Sequence, residues 1–388
     1  MAADSLCQDD NHLPLTTGRR FMENFSHTLL GLSLAKAGLE RATPLATTAL
    51  IISSNLPDID NLTWLFGGTV SSLEHHRGFT HAFLGIGVLA ASLTLALTFL
   101  DRRFRLHSDP FRRPLRPLRI FMLSCLGGLG HTWMDFTNAY GVRPFLPFSG
   151  QWFYGDLVFI VDPWIWLILG SGAVWLTTTD AARSFVWVVV GIIASLIVAL
   201  ALRAPAEQLA AIPGIARVIW FCGLALILAG ALFGWRRAGP KLARYSLFVL
   251  GLYYCGMWMA HQSAVKQAQT SAPDANITWL AAWPTPANPL LWQAAATTDD
   301  SVYISDVNLV TKQSEWHELN KLDPKFIEPL RQSAEARAFL DFLRCGSAEV
   351  EEEPDGYTLS LRDLRFNVRM VVEMDRNLSV RSTDVRWF

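Results

Sequence analysis

Six long apolar segments constrain this chain more than any other feature of its sequence. They cover residues 79–100, 117–137, 157–177, 184–202, 213–234 and 242–260. Each approaches the length of roughly 20 mostly apolar residues that an α-helix needs to cross a bilayer. Only 17% of the chain is charged, against about 25% in a typical soluble protein. The sequence therefore predicts an all-α multi-pass membrane helical bundle with about six spanning helices.

Two shorter apolar segments, 27–40 and 44–57, precede the six. Each is too short to span, and together they predict an N-terminal short helical hairpin that dips into the membrane. We assign residues 22–264 to this membrane domain. Residues 1–21 are polar and predict a disordered extension, with Met22 as an alternative start.

Arginine-rich loops orient the predicted bundle. Loop 101–119 contains seven arginines, and loop 235–244 contains three arginines and one lysine. The positive-inside rule places both loops in the cytoplasm. Loops 138–156 and 203–212 would then face the periplasm of a bacterial inner membrane.

The pattern of the chain changes after about residue 275. Residues 301–310, 357–366, 367–374 and 377–388 alternate apolar and polar side chains and predict strands, while residues 323–343 have helical periodicity. We expect a small C-terminal α+β extramembrane domain over residues 299–388, on the periplasmic side, joined by a linker over residues 265–298. The net charge of −1 and the lack of a basic run argue against a nucleic-acid partner.

Five polar motifs interrupt the apolar pattern near predicted helix ends. They are Ser26-His27, NLPDID (55–60), HHRGFTH (75–81), GHTWMD (130–135) and YGDLVFIVDP (154–163). The predicted topology places all five at the outer face of the bilayer. Ionisable side chains are costly there, which favours a functional site over ordinary polar capping.

The spacing of these residues is typical of a metal site. His131 and Asp135 are four residues apart, so a helix would stack them on one face. Imidazole and carboxylate ligands without cysteine favour Zn²⁺, with Mn²⁺ or Fe²⁺ as alternatives, and one or two ions. Asp156 is a further candidate ligand, although it could equally cap the following helix.

The motifs SHTLLG, LPDID, HRGFTH, HTWMD and FYGDLVFIVDP resemble those of the bacterial membrane-bound metal-dependent hydrolase family, the YdjM-like proteins. The resemblance implies a multi-pass inner-membrane protein and a metal-dependent hydrolase. It places the metal ligands on His27, Asp58, Asp60, His76, His81, His131 and Asp135.

The leading functional hypothesis is metal-assisted hydrolysis at the outer membrane–water interface, on a lipid or lipid-linked (phospho)ester. Asp58 or Asp60 would accept the proton of the attacking water, and Arg77 and Arg143 would stabilise the developing anion. A second hypothesis is a non-catalytic membrane protein with a structural metal and a partner-binding outer domain. A transporter is the third, disfavoured because the ionisable residues crowd one end of the segments.

Overall fold

A computed structural model describes residues 15–105, 108, 111–201, 214–233, 239–273, 276–366 and 368–387. Of the predicted N-terminal extension, residues 1–14 lie outside this range, as does the predicted loop 203–212. The helices are α1 (Leu15–Lys36), α2 (Ala46–Ser53), α3 (Trp64–His75), α4 (Phe83–Leu100), α5 (Pro117–Phe136), α6 (Pro163–Thr177), α7 (Ala181–Ala201), α8 (Gly214–Leu232), α9 (Pro240–Ser271), α10 (Pro324–Gln332) and α11 (Ala334–Phe342). Short 3₁₀ segments cover Leu39–Arg41, Leu56–Thr63 and Phe79–His81.

The predicted all-α multi-pass bundle is wrong. Within the described residues, two helical stretches are long and apolar enough to cross a membrane, Phe83–Arg105 and Ala181–Val198. Two more apolar helices, Pro163–Thr177 and Ala216–Leu232, are shorter. Helix α5 fails as a span because it buries polar groups such as His131 and Asp135 inside the protein, and α9 is long but of low overall hydrophobicity.

The C-terminal part of the chain forms two antiparallel sheets, which also contradicts an all-α fold with a small appended domain. The first sheet has the order β1 (Trp279–Thr285), β2 (Asn288–Thr297), β3 (Ser301–Asn308), β4 (Ser314–Asn320). The second has the order β5 (Gly346–Glu353), β6 (Gly356–Asp363), β7 (Val368–Asp375), β8 (Val380–Trp387). Strands β1 and β2 lie within residues 265–298, the predicted linker.

Close packing of three helices prepares the functional site. Glycines on α1 and α5 face α2, and a Cβ at Gly31 or Gly127 would collide with the backbone or a serine side chain of α2. Because these glycines carry no side chain, α2 lies close to both neighbours. The C-terminal end of α2 is thereby held against the middle of α5.

Two apolar cores connect the helices to the sheets. The second sheet packs with α10 and α11, and this core includes Leu73 of α3 and Tyr140 from the loop after α5. The first sheet packs against α9 and shares a core with α1 and α6, in which Trp166 and Trp292 are buried. The two sheets together with α10 and α11 are called the β domain below. The β domain is therefore in direct contact with the loop that follows α5.

Candidate metal centre

Four buried side chains come together from three separate parts of the chain. Asp58 lies in the 3₁₀ segment Leu56–Thr63, His81 ends the 3₁₀ segment before α4, and His131 and Asp135 lie on one face of α5. They can each offer one ligand atom, and these atoms lie within 4.8 Å of one another. The donor set of two imidazoles and two carboxylates suits a divalent ion such as Zn²⁺.

The hydrogen bonds of the two imidazoles turn their Nε2 atoms toward each other. Nδ1 of His131 lies 2.9 Å from the carbonyl oxygen of Ser54 and must donate to it. Nδ1 of His81 lies 3.1 Å from Oδ2 of Asp60. In the neutral rings both Nε2 atoms then carry lone pairs, yet they are 3.0 Å apart. Such a contact is repulsive unless a cation lies against both lone pairs.

The carboxylates show the same need for a cation. Neither oxygen of Asp58 has a hydrogen-bond partner although both are buried, and Oδ2 of Asp135 also lacks one. That Asp135 oxygen lies 3.2 Å from Nε2 of His81 and 3.2 Å from Nε2 of His131. A proton on one imidazole would pair it with Asp135 but would leave Asp58 without a donor. Asp58, His81, His131 and Asp135 are therefore a suitable ligand set for a divalent metal ion.

Asp60 is engaged differently from Asp58. Four donors surround its oxygens: Nδ1 of His76 at 3.0 Å, the backbone N–H of Arg77 at 3.0 Å, Oγ1 of Thr80 at 2.8 Å and Nδ1 of His81 at 3.1 Å. This pattern is that of a carboxylate orienting ligand histidines. A second potential metal group nevertheless joins Asp58, Asp60 and His76, so two ions remain compatible with the cluster.

The pKa values of groups in the loops outside the candidate spans reflect this crowding. Burial raises the pKa of Asp58 and of Asp60, but the neighbouring histidines outweigh burial and lower both. Burial lowers the pKa of His81, but Asp60 and the other carboxylates raise it well above 6.5. The carboxylates around His81 thus favour positive charge at this imidazole, where a divalent ion would also be stabilised.

Arg77 is a fully buried cation beside the cluster. Its Nη2 lies 3.1 Å from Oδ1 of Asp135, and its Nη1 donates to Oδ1 of Asn138 at 2.8 Å and to the carbonyl oxygen of Asp135 at 3.2 Å. The residue has a φ of 53°, a left-handed conformation that is uncommon for a side chain of this size. The guanidinium is thus fixed in place behind Asp135.

His27 completes the cluster from α1. Its Nε2 lies 3.4 Å from Oδ1 of Asp135, and its ring stacks on His131 with centroids 3.8 Å apart. Its Nδ1 is buried without a hydrogen-bond partner. A cavity of about 20 Å³ lined by His27, Asp135 and Asp162 adjoins the ring, which is room for about one water molecule.

Besides His27 and Arg77, two further predicted site residues, Arg143 and Asp156, lie outside both metal groups. Arg143 donates to the carbonyl oxygen of Glu74 at 2.7 Å, and its guanidinium lies 4.6 Å from the centroid of the Trp152 ring. Asp156 forms a bidentate ion pair with Arg344 of the β domain, at 2.7 and 2.8 Å. The structure therefore gives Asp156 a contact between domains in place of a metal ligand.

Sequence reasoning missed several partners of the predicted residues. The Ser54 carbonyl, Asn138 and Arg344 each fix a site residue, and none carries a motif of its own. Asn138 follows the GHTWMD motif closely, and that proximity was the available signal. The Ser54 carbonyl left no signal, because every residue has one.

Comparison with known proteins agrees with the sequence motifs. Residues 22–206 match the model of the YdjM inner membrane protein family. The predicted resemblance is thereby confirmed over this part of the chain. The matched range contains every residue of both metal groups.

A relative from Bacillus subtilis (strain 168), the uncharacterized protein YfhP, is 26% identical over 165 residues. The similarity covers 40% of this chain and 46% of the relative, so the chain spans less than half of that protein's length. No solved structure matches the chain.

Proposed function

We propose that this chain, with residues 22–206 in the YdjM inner membrane protein family, is a metal-dependent hydrolase of the bacterial inner membrane. The observation that carries the proposal is the pair of imidazole Nε2 atoms 3.0 Å apart, beside an Asp58 carboxylate that has no donor. Buried polar atoms without partners are rare in native proteins and call for an explanation. A divalent ion bound there supplies Lewis acidity, which activates water and polarises an ester oxygen.

The chain's own carboxylates divide into two roles. Asp58 keeps oxygens without donors and can accept the proton of an attacking water, in addition to holding the ion. Asp60 is surrounded by donors, so it holds the rings of His76 and His81 in place and is a weaker candidate for the base. Geometry alone thus favours Asp58 as the general base.

The two arginines also differ. Arg77 is fully buried and bound to Asp135, Asn138 and a carbonyl, so it is suited to fixing the charge of Asp135. Arg143 lies next to Gly78 in the HRGFTH turn, and its Nε has no partner. We therefore assign the stabilisation of a developing phosphoester anion to Arg143.

A lipid or lipid-linked ester is the substrate class that the surroundings favour. Segment 62–66 directly follows Asp58 and Asp60 in the chain and exposes four apolar side chains, Leu62, Trp64, Leu65 and Phe66, the last to 90%. The candidate membrane helix α4 begins two residues after His81. An apolar surface and a helix long and apolar enough to cross a bilayer thus adjoin the same cluster. We place this end of the molecule at the periplasmic face, since the arginine-rich loop 101–119 lies at the other end of α4.

The test compares the wild-type protein with the double variant His131→Ala/Asp135→Ala in detergent. We expect the wild type to hold one or two divalent ions by elemental analysis and to hydrolyse at least one member of a phospholipid and lipid-pyrophosphate panel. The variant should retain membrane insertion and lose both properties. Equal metal content in the two proteins would exclude the assigned ligands.

The burial of the cluster favours a second candidate function. His81, His131 and Asp135 are at most 1% exposed, as expected of a metal that only holds helices together. Such a protein would lose thermal stability on treatment with a chelator, yet hydrolyse no ester when fully loaded with metal. Ester hydrolysis that is lost with the metal and returns when the metal is added back would support the hydrolase. Regained thermal stability without any hydrolysis would support the structural role.

A further inference from the structure

Tyr140 lies between the metal cluster and the C-terminal β domain. On the side of the cluster, its ring centroid is 5.4 Å from that of His76 and 4.5 Å from the guanidinium carbon of Arg77. On the opposite side, it is 5.1 Å from the ring of Phe342 and 5.8 Å from that of Phe366. Tyr140 is 6% exposed. Residues of the cluster and residues of the β domain therefore both pack against its ring.

The two residues that Tyr140 contacts on the side of the cluster, His76 and Arg77, directly support the cluster. The guanidinium of Arg77 is bound to Asp135, and its backbone N–H donates to Asp60. His76 is hydrogen-bonded to the other oxygen of Asp60. A shift of the Tyr140 ring would therefore move two groups that orient carboxylates of the site.

The β domain is fastened to the loop that carries Tyr140. Nη1 of Arg365 donates to the carbonyl oxygen of Ala139 at 3.1 Å, next to Tyr140 in the chain. The guanidinium of Arg365 is itself held by Asp363 and by the carbonyl oxygen of Phe342. Arg344 and Asp156 fix the far end of the same loop.

We propose that the β domain supports the metal centre and that Tyr140 is the positioning residue through which it acts. Metal affinity then depends on residues about 200 positions beyond the ligands in the chain, outside the range that matches the family. The inference rests on the metal binding of the proposed function and is independent of hydrolysis. Ligand-orienting partners of this kind typically change metal affinity 10- to 100-fold.

The test measures zinc affinity of the full-length protein in detergent by competition with a chromophoric chelator. Tyr140→Leu keeps an apolar side chain but removes the ring, and we expect at least a tenfold loss of affinity. Tyr140→Phe keeps the ring and should bind zinc within about twofold of the wild type. The absorption spectrum of bound Co²⁺ should change in Tyr140→Leu and stay unchanged in Tyr140→Phe, because it reports ligand geometry.

Tyr357→Leu is the matched control. Tyr357 packs against Phe326 in the same domain and has no described contact with the cluster, so its loss should leave zinc affinity unchanged. Wild-type affinity in Tyr140→Leu, or an equal loss in Tyr357→Leu, would overturn the inference alone. A wild-type protein that binds no zinc would overturn the metal centre as well, and this outcome is seen before any variant is made.

Discussion

The residues of the cluster differ in whether their ligand atoms already form hydrogen bonds. The oxygens of Asp58 form none, whereas both oxygens of Asp60 accept hydrogen bonds. The family resemblance names seven residues, and the structure brings all seven close to Asp135 or Asp60. Sequence could supply their identity because imidazoles and carboxylates are rare beside apolar segments. It could not supply their roles, since these depend on which backbone carbonyl or N–H each side chain meets.

Asp60→Asn tests whether Asp60 orients the rings of His76 and His81. The amide cannot accept hydrogen bonds at both positions where the carboxylate does, so His76 and His81 would lose their fixed orientation. We expect zinc affinity to fall by about 10- to 100-fold, measured by chelator competition. Asp101→Asn is the control, because Asp101 is also a carboxylate of low exposure but pairs with Arg105 outside the cluster. Equal affinities in the two variants would contradict the role of Asp60.

Asp162 provides a pH-dependent prediction. It accepts hydrogen bonds from Tyr253 at 2.6 Å and from the N–H of Trp164 at 2.8 Å, yet burial outweighs them and raises its pKa to about 6. The folded state then binds this proton more tightly than the unfolded state, whose carboxyl pKa is about 3.9. The free energy of unfolding should fall as pH rises from about 4 to about 6, by about 3 kcal/mol in total.

Thermal unfolding in detergent between pH 3 and pH 8 measures this contribution. Asp162→Asn removes the titrating group and should remove that part of the pH dependence. If the variant and the wild type lose stability in parallel over this range, Asp162 is not the group responsible.

Secondary-structure elements were predictable where their pattern was regular. The strands predicted at 301–310, 357–366, 367–374 and 377–388 coincide with β3, β6, β7 and β8. Strands β4 and β5 were missed because they lie at sheet edges and carry mostly polar side chains, as in SEWHELN and GSAEVEEE. The count of six spans failed because an apolar segment does not fix the length or composition of its helix. Helix α6 and the described part of α8 are short, and α5 and α9 contain polar residues that lower their hydropathy.

The contact between α2 and α5 depends on Gly127, which lies against Ser53 and Leu50 of α2. The Cβ of Gly127→Ala would displace the hydroxyl of Ser53 and crowd the Leu50 carbonyl oxygen at 3.1 Å, and we expect the resulting small shift of α2 to weaken the contact between the Ser54 carbonyl and His131. We expect a loss of about 1 to 3 kcal/mol in unfolding free energy, together with weaker zinc binding. Gly87→Ala in α4 is the control, since its Cβ meets open space and should leave stability equal or slightly higher. Wild-type stability in Gly127→Ala would show that the helices can separate without cost.

The ion pair between Asp156 and Arg344 is one of the contacts that join the helical part of the molecule to the β domain. Arg344→Gln would leave a buried carboxylate without its charged partner, at a cost of about 3 kcal/mol. Hydrogen exchange should accelerate in residues 138–158, where the β domain meets the loop. Arg376→Gln breaks an exposed pair with Glu352 and should change neither quantity measurably. No sequence signal joined these partners, because they are 188 positions apart.

Exposed apolar side chains offer a test of where the molecule would meet the proposed bilayer surface. Phe66 is 90% exposed beside the cluster, whereas Val310 is 68% exposed on the β domain. If the cluster lies at the lipid surface, a nitroxide at Phe66→Cys in a cysteine-free background should be accessible to oxygen and shielded from a water-soluble nickel complex. The same label at Val310→Cys should show the reverse, because an extramembrane domain meets water. Equal nickel accessibility at both positions would place segment 62–66 in water, and the cluster would then lack the apolar surface that favours a lipid substrate.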